Sequence, residues 1–138
     1  MRWRGLWRLR LPGRHTRLSE DIKRGSRRGA FDSRLHVDNE RDYVVNKLMP
    51  SALHETNLQS LLVWHGCDTV VVTGGSTSGC ACATVVDGLW RGYRMIVPEA
   101  CVADVHASPH FASLHDMHKK YPDVLRVAEV LAFYKSLS

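Results

Sequence analysis

Five β-branched residues, Thr69-Val70-Val71-Val72-Thr73, run directly into Gly74-Gly75-Ser76-Thr77-Ser78-Gly79 and then into a helical stripe that begins at Cys80. No other stretch constrains the fold as much. A β-branched run without polar alternation suits a strand covered on both faces, the usual condition of a parallel sheet. The glycines permit a tight turn and close approach of other atoms. Ala83, Val85, Val86 and Leu89 then recur at helical spacing, and Gly92 closes that helix.

The alternation extends both ways. Downstream, residues 94–97 read as a strand stopped by Pro98. Residues 109–120 read as a helix, 124–125 as a brief strand and 127–137 as a last helix. Upstream, Tyr43-Val44-Val45 reads as a short strand ending at Asn46-Lys47. Residues 51–65 read as a helix on Leu53, Leu58, Leu61, Leu62 and Trp64, with Thr56 and Asn57 as caps. Strand–helix alternation predicts an α/β fold of three layers, Rossmann-like, with a parallel sheet and crossover helices. Ligands in such folds bind beyond the carboxyl ends of the strands. Lys47, the turn 74–80 and the segment 98–106 should lie there.

Charge divides the chain in two. Residues 1–41 carry 12 Lys+Arg against 5 Asp+Glu, whereas residues 42–138 carry 7 against 9. The basic character therefore sits in an Arg-rich N-terminal segment, expected to be disordered or unrelated to the domain that follows at 42–138. Its start, Met-Arg-Trp-Arg-Gly-Leu-Trp-Arg, lacks the apolar centre of a signal peptide. A basic amphipathic segment could also lie on a membrane surface or bind nucleic acid. The body has no basic face for nucleic acid. No apolar run approaches the roughly 18 residues of a membrane span. Cys67, Cys80, Cys82 and Cys101 match no zinc or CxxC redox spacing. Reduced thiols and a cytoplasmic location are the expectation.

Cys80 is placed where a strand turns into a helix. Free N–H groups and the partial positive charge of a helix N-terminus favour an attacking thiolate and can hold an oxyanion. Lys47 would add a positive charge if it lies close. The plainer reading is a small apolar residue at a helix start. A phosphate-binding turn is a further reading, but the Gly-Lys-Ser/Thr ending is missing.

The string Val72-Thr-Gly-Gly-Ser-Thr-Ser-Gly-Cys-Ala-Cys-Ala-Thr-Val-Val-Asp87, followed by Arg91-Gly-Tyr-Arg, resembles the isochorismatase-like cysteine hydrolases. The nearest types are the N-carbamoylsarcosine and maleamate amidases. Asp42-Tyr-Val-Val-Asn-Lys-Leu-Met-Pro-Ser-Ala, Thr56-Asn-Leu and Ala103-Asp-Val-His-Ala-Ser-Pro-His110 support it. The resemblance implies Cys80 as nucleophile and Lys47 as its catalytic lysine. It implies a cis peptide at Gly75–Ser76, and an oxyanion hole from the N–H groups of Ser76 and Cys80. The implied reaction is hydrolysis of an amide or carbamoyl C–N bond of a small molecule through a thioester, with no cofactor. A homo-oligomer is the expected assembly, since an apolar patch left by missing strands favours association.

Two departures stand out. The resemblance calls for an Asp at the end of a first strand, and no apolar strand followed by Asp precedes residue 42. Asp21, Asp32 and Asp38 lie in polar, Arg-rich surroundings. The first two strands are therefore expected to be missing, as in an N-terminally truncated copy. With strands about 4.8 Å apart, Lys47 and Cys80 need not then meet. An inactive remnant is the alternative. Second, Val105 stands where some relatives have an Arg or Lys suited to a substrate carboxylate.

Other residues have plainer readings. His106, His110, His115 and His118 fit no zinc pattern, so no metal is expected. Cys82 and Cys101 read as small core residues. Trp64 and Trp90 read as core or interface, and Asp87 as a structural polar contact or surface group.

Overall fold

The computed structural model describes residues 27–38 and 40–137. Residues 1–26 of the Arg-rich segment, expected to be disordered or unrelated to the domain, lie outside the described residues. The chain divides into two compact units, Met1–Tyr43 and Val44–Ser138. In the described part of the first, a 3-10 turn spans Arg27–Gly29. There the Asp32 carboxylate accepts from the Arg34 backbone N–H and guanidinium. The guanidinium holds that exposed carboxyl below its ordinary range. Water screens such a pair, so it adds little stability.

The second unit is the α/β body. Helix α1 spans Leu58–Trp64, strand β1 Thr69–Val71 and the two-residue strand β2 Gly74–Gly75. A π-helical turn, Thr77–Ala81, leads into α2, Cys82–Trp90. Strand β3 spans Arg94–Pro98, β4 Val102–Ala103 and helix α3 Ala107–Lys120. Strand β5 spans Asp123–Leu125 and helix α4 Val127–Ser136. The main sheet is parallel, in the order β1-β3-β5, with Val70 beside Met95 and Val97 beside Val124. Strands β2 and β4 form a second parallel pair. This is the α/β class expected from the sequence: parallel strands linked by crossover helices.

Strand β3 is central because its residues are the most apolar. Met95, Ile96 and Val97 are all buried. Around Met95 and Val97 pack Val72, Ala81, Val85, Tyr93, Val102 and Met117, which ties α2 and α3 to the sheet. At Gly88, α2 comes so close to β3 that an added methyl would lie 2.5 Å from Met95 Sδ and 2.7 Å from its Cε. Gly88→Ala should therefore cost about 1–3 kcal/mol, because the overpacking outweighs the helix propensity gained. A lower urea midpoint than wild type checks this; an unchanged midpoint contradicts it.

Three local expectations need correction. Residues 43–46 form no strand and belong to neither sheet; Tyr43 and Val44 are exposed. A β-branched run becomes a strand only where another backbone completes its ladder. The helix expected over residues 51–65 starts only at Leu58. Hydroxyls capture the backbone before it: Ser51 Oγ accepts from Leu53 N–H, and Thr56 Oγ1 donates to Ala52 O and accepts from Leu58 N–H. Glu55 then takes a left-handed φ of 53°, which breaks a helix. Asn57 occupies the N-cap position but makes no side-chain cap bond. Third, Cys101 is exposed and so is not core, and Trp64 and Trp90 are 81% exposed, which removes the core half of their core-or-interface reading. Both tryptophans end their helices, at the last residues of α1 and α2. Cys82 does pack, half-buried, against the core. None of the helices among the described residues is long and apolar enough to cross a membrane.

Candidate active site

Strand β1 ends, the chain crosses Gly74–Gly75, and the Gly75–Ser76 peptide is cis. Gly74 has a φ of 99°, a conformation that excludes most side chains. Ser76 is extended, and its carbonyl accepts from the N–H groups of Gly79 and Ala81. The second of these bonds spans five residues and widens the turn. Such π-turns often mark functional positions. Gly79 packs closely here: an added methyl would lie 2.4 Å from Ser76 Oγ, so that hydroxyl would have to turn away. Cys80 sits within this turn, half-buried.

Lys47 meets it. Lys47 Nζ lies 3.2 Å from Cys80 Sγ, 3.0 Å from Met49 O and 3.1 Å from Pro50 O. An ammonium has three N–H donors, and here three acceptors use them. The two carbonyls fix the amine; the sulfur takes the third donor. A missing central pair of strands had implied that Lys47 and Cys80 could lie far apart. They are in contact because helix α2, not strand pairing, holds the loop that carries Lys47. Ser51 Oγ donates to Asp87 Oδ2 at 2.6 Å, and Ala52 N–H donates to Thr84 Oγ1 at 3.0 Å.

Asp87 is the structural contact expected of it. Burial alone would raise its carboxyl. The bonds from Ser51 and Arg91, with the charges of Arg91 and His54, outweigh that and hold it below the usual range.

Two further anchors hold the turn from the other side. The Ser78 N–H and hydroxyl both donate to Asp104 Oδ2, at 2.7 and 2.6 Å. Asp104 Oδ1 accepts from Val105 N–H at 2.8 Å. The fully buried Thr77 hydrogen-bonds His110 Nδ1 through its hydroxyl at 2.8 Å. In the sequence Asp104 stood out only as part of a string, and His110 only there and among histidines that fit no zinc pattern. Their partners lie 26 and 33 residues away, a separation that no local spacing reveals.

The Asp104 carboxyl is held below its ordinary range by the Ser78 hydroxyl and then by the Ser78 N–H. Its folded value lies below its unfolded one. It therefore stabilises the fold above the unfolded value, and that contribution is lost as pH falls through the folded value. Asp104→Asn should lower the urea midpoint at pH 6, and the gap to wild type should close in strong acid. A gap of constant size from pH 6 to pH 2.5 contradicts it.

The other thiols differ from Cys80. Burial, then the charge of Asp116, push the Cys82 thiol up and keep it neutral. Cys67 and Cys101 are exposed and free. Among the described residues the Cys80 thiol has Lys47 as its hydrogen-bond partner, no carboxylate bonds it, and no three His, Cys, Asp or Glu converge as metal ligands.

Comparison with known proteins identifies the family of the chain. The isochorismatase domain model matches residues 10–129. Maleamate amidohydrolase from Pseudomonas putida is 38% identical over 121 residues, 88% of this chain and 54% of that protein. N-carbamoylsarcosine amidase from an Arthrobacter species is 29% identical over 133 residues, 96% of this chain and 48% of that one. The chain thus spans about half the length of these two relatives. A solved isochorismatase-like hydrolase from Alkaliphilus metalliredigens superposes with a TM-score of 0.72 at 28% identity, over 76% of this chain and 57% of that one.

Proposed function

Because the chain belongs to the isochorismatase family, we propose that it is a cysteine hydrolase that cleaves the C–N bond of a small primary amide or carbamoyl compound. The observation that carries this reading is the 3.2 Å contact between Lys47 Nζ and Cys80 Sγ on a glycine-bounded π-turn. Lys47 Nζ donates to the sulfur that attacks. All its N–H donors are committed, so it serves the thiolate and leaves the oxyanion to others. The N–H groups of Ser76, just before the turn, and of Cys80, within it, are the donors for that oxyanion. The thiolate adds to the amide carbonyl. Collapse of the adduct expels ammonia, which takes its proton from water, and leaves a thioester on Cys80. Water then cleaves the C–S bond and releases the carboxylic acid.

The names of the relatives, maleamate amidohydrolase and N-carbamoylsarcosine amidase, support that substrate class. Val105, 83% exposed, presents no charge to a substrate carboxylate. Neutral amides should therefore be turned over faster than their acidic counterparts. Ammonia release from paired neutral and acidic amides, together with N-carbamoyl amino acids, checks this. Release from at least one of them is expected, with the neutral member of a pair preferred; release from none sinks the hydrolase reading.

The second reading is a family member that keeps the fold without turnover. It is favoured by the lack of a carboxylate bonded to Sγ among the described residues. Silence of the whole amide panel in a folded protein is its expected result.

A further inference from the structure

The Lys47 loop and the Cys80 turn are joined through one buried hydroxyl. Thr84 is 8% exposed on helix α2. Its Oγ1 donates to the carbonyl of Cys80 at 2.7 Å and accepts from the N–H of Ala52 at 3.0 Å. Back-bonding to the carbonyl four residues earlier is common for a helical Thr and says nothing by itself. The second bond is different, because it reaches 32 residues away into the segment that follows Lys47. The Ser51 bond to Asp87, three residues further along α2, runs beside it on the same helix face. Lys47 is in turn fixed by the carbonyls of Met49 and Pro50, just before this clamp. The chain of contacts therefore runs from the Cys80 carbonyl through Thr84 to Ala52, and back along residues 51–47 to the amine on Sγ.

We propose that Thr84 is a positioning residue: its hydroxyl sets the distance between Lys47 Nζ and Cys80 Sγ. The proposal rests on the reading of Cys80 as nucleophile and Lys47 as its partner. The hydroxyl suits the task because it donates in one direction and accepts in the other, so neither bond competes for the same group. Its burial keeps water from replacing either bond. A methyl in its place leaves Ala52 N–H and Cys80 O to find new partners, which frees the loop to move. Displacements near an ångström at a reacting centre are costly in rate. No single-residue spacing in the sequence exposes this function, since it depends on one atom serving two distant backbones.

The test compares Thr84→Val, which keeps the shape and loses the hydroxyl, with Thr84→Ser, which keeps the hydroxyl. The full chain is treated with iodoacetamide, and labelling of Cys80 is followed by peptide mass spectrometry. Cys67 and Cys101, exposed in the same chain, are internal standards. Thr84→Val should slow labelling of Cys80 by about tenfold, the equivalent of one hydrogen bond, and leave Cys67 and Cys101 unchanged. Thr84→Ser should restore the rate to within about twofold, a fraction of that bond. In a Lys47→Met background, Thr84→Val should have no further effect, because the amine it positions is gone. A folded Thr84→Val chain labelled at the wild-type rate overturns the proposal, as does Thr84→Ser labelled as slowly as Thr84→Val. Should the valine chain not fold, Thr84→Ala carries the same expectations. If Lys47→Met alone leaves labelling of Cys80 unchanged, the parent reading fails. If Lys47→Met slows it and Thr84→Val does not, only the positioning claim fails.

Discussion

Replacing Cys80 by Ala should end amide hydrolysis, lowering turnover by at least about 10^4-fold. The reason is chemical: the thioester route has no other atom that can form its first covalent bond. Cys82, two residues on, cannot substitute, since burial and Asp116 keep its thiol neutral. Cys67 and Cys101 stand outside the turn. The fold should survive, because Cys80 is only half-buried and the turn around it is held by Ser78, Thr77 and Thr84. Far-UV circular dichroism and the urea midpoint should match wild type while ammonia release disappears. A Cys80→Ala chain that retains a tenth of wild-type turnover contradicts the nucleophile assignment.

Lys47→Met is the second large effect. Methionine keeps an unbranched side chain of similar length and removes the donor to sulfur. Loss of one preorganised donor at a reacting centre costs roughly 10^2- to 10^3-fold in turnover. Lys47 is exposed, so water screens its charge. The lower end, roughly 10^2-fold, is therefore expected. The loss should fall on kcat rather than KM, because the three N–H groups of Lys47 are engaged by Met49, Pro50 and Cys80 and none reaches a ground-state substrate. It should also appear, without any substrate, as slower alkylation of Cys80. A rise in KM at constant kcat would recast Lys47 as a substrate-binding group.

Cys80 was legible in the sequence because it lies next to a strong local signal; Lys47 was reached only through the family resemblance, since the strand expected before it does not form. The run 69–73, the glycines after it and the stripe after Cys80 fix a strand–turn–helix without reference to distant contacts. Strand β3 was equally plain, since Met95, Ile96 and Val97 precede a proline that ends them. What was not legible depends on long-range partners. Residues 43–46 have strand-like composition but no neighbouring backbone among the described strands. Residues 51–57 have helical spacing of leucines, yet Ser51, Thr56 and the φ of Glu55 turn the chain instead. The same turning presents Ala52 N–H to Thr84 and Ser51 to Asp87. The local failure of helical periodicity is thus what carries Lys47 to Cys80. Asp104, which caps Ser78 from the segment after β4, was hidden for the same reason: its role exists only once two loops meet.

The absence of a carboxylate bonded to Sγ among the described residues makes Lys47 the centre of the proposed mechanism. The lysine, oriented by two carbonyls, is then the group that readies the sulfur. This explains why so much polar bonding converges on the short segment from Lys47 to Leu53. The bonds of Ser51 to Asp87, Ala52 to Thr84 and Leu53 to Ser51 fix its path.

The most direct test of Cys80 as nucleophile is a titration of the active protein with iodoacetamide, with residual ammonia release plotted against the fraction of Cys80 carrying the label. Activity should fall in proportion and reach zero when that peptide is fully labelled, whatever the state of Cys67 and Cys101. Ammonia release that persists with Cys80 fully labelled contradicts the assignment.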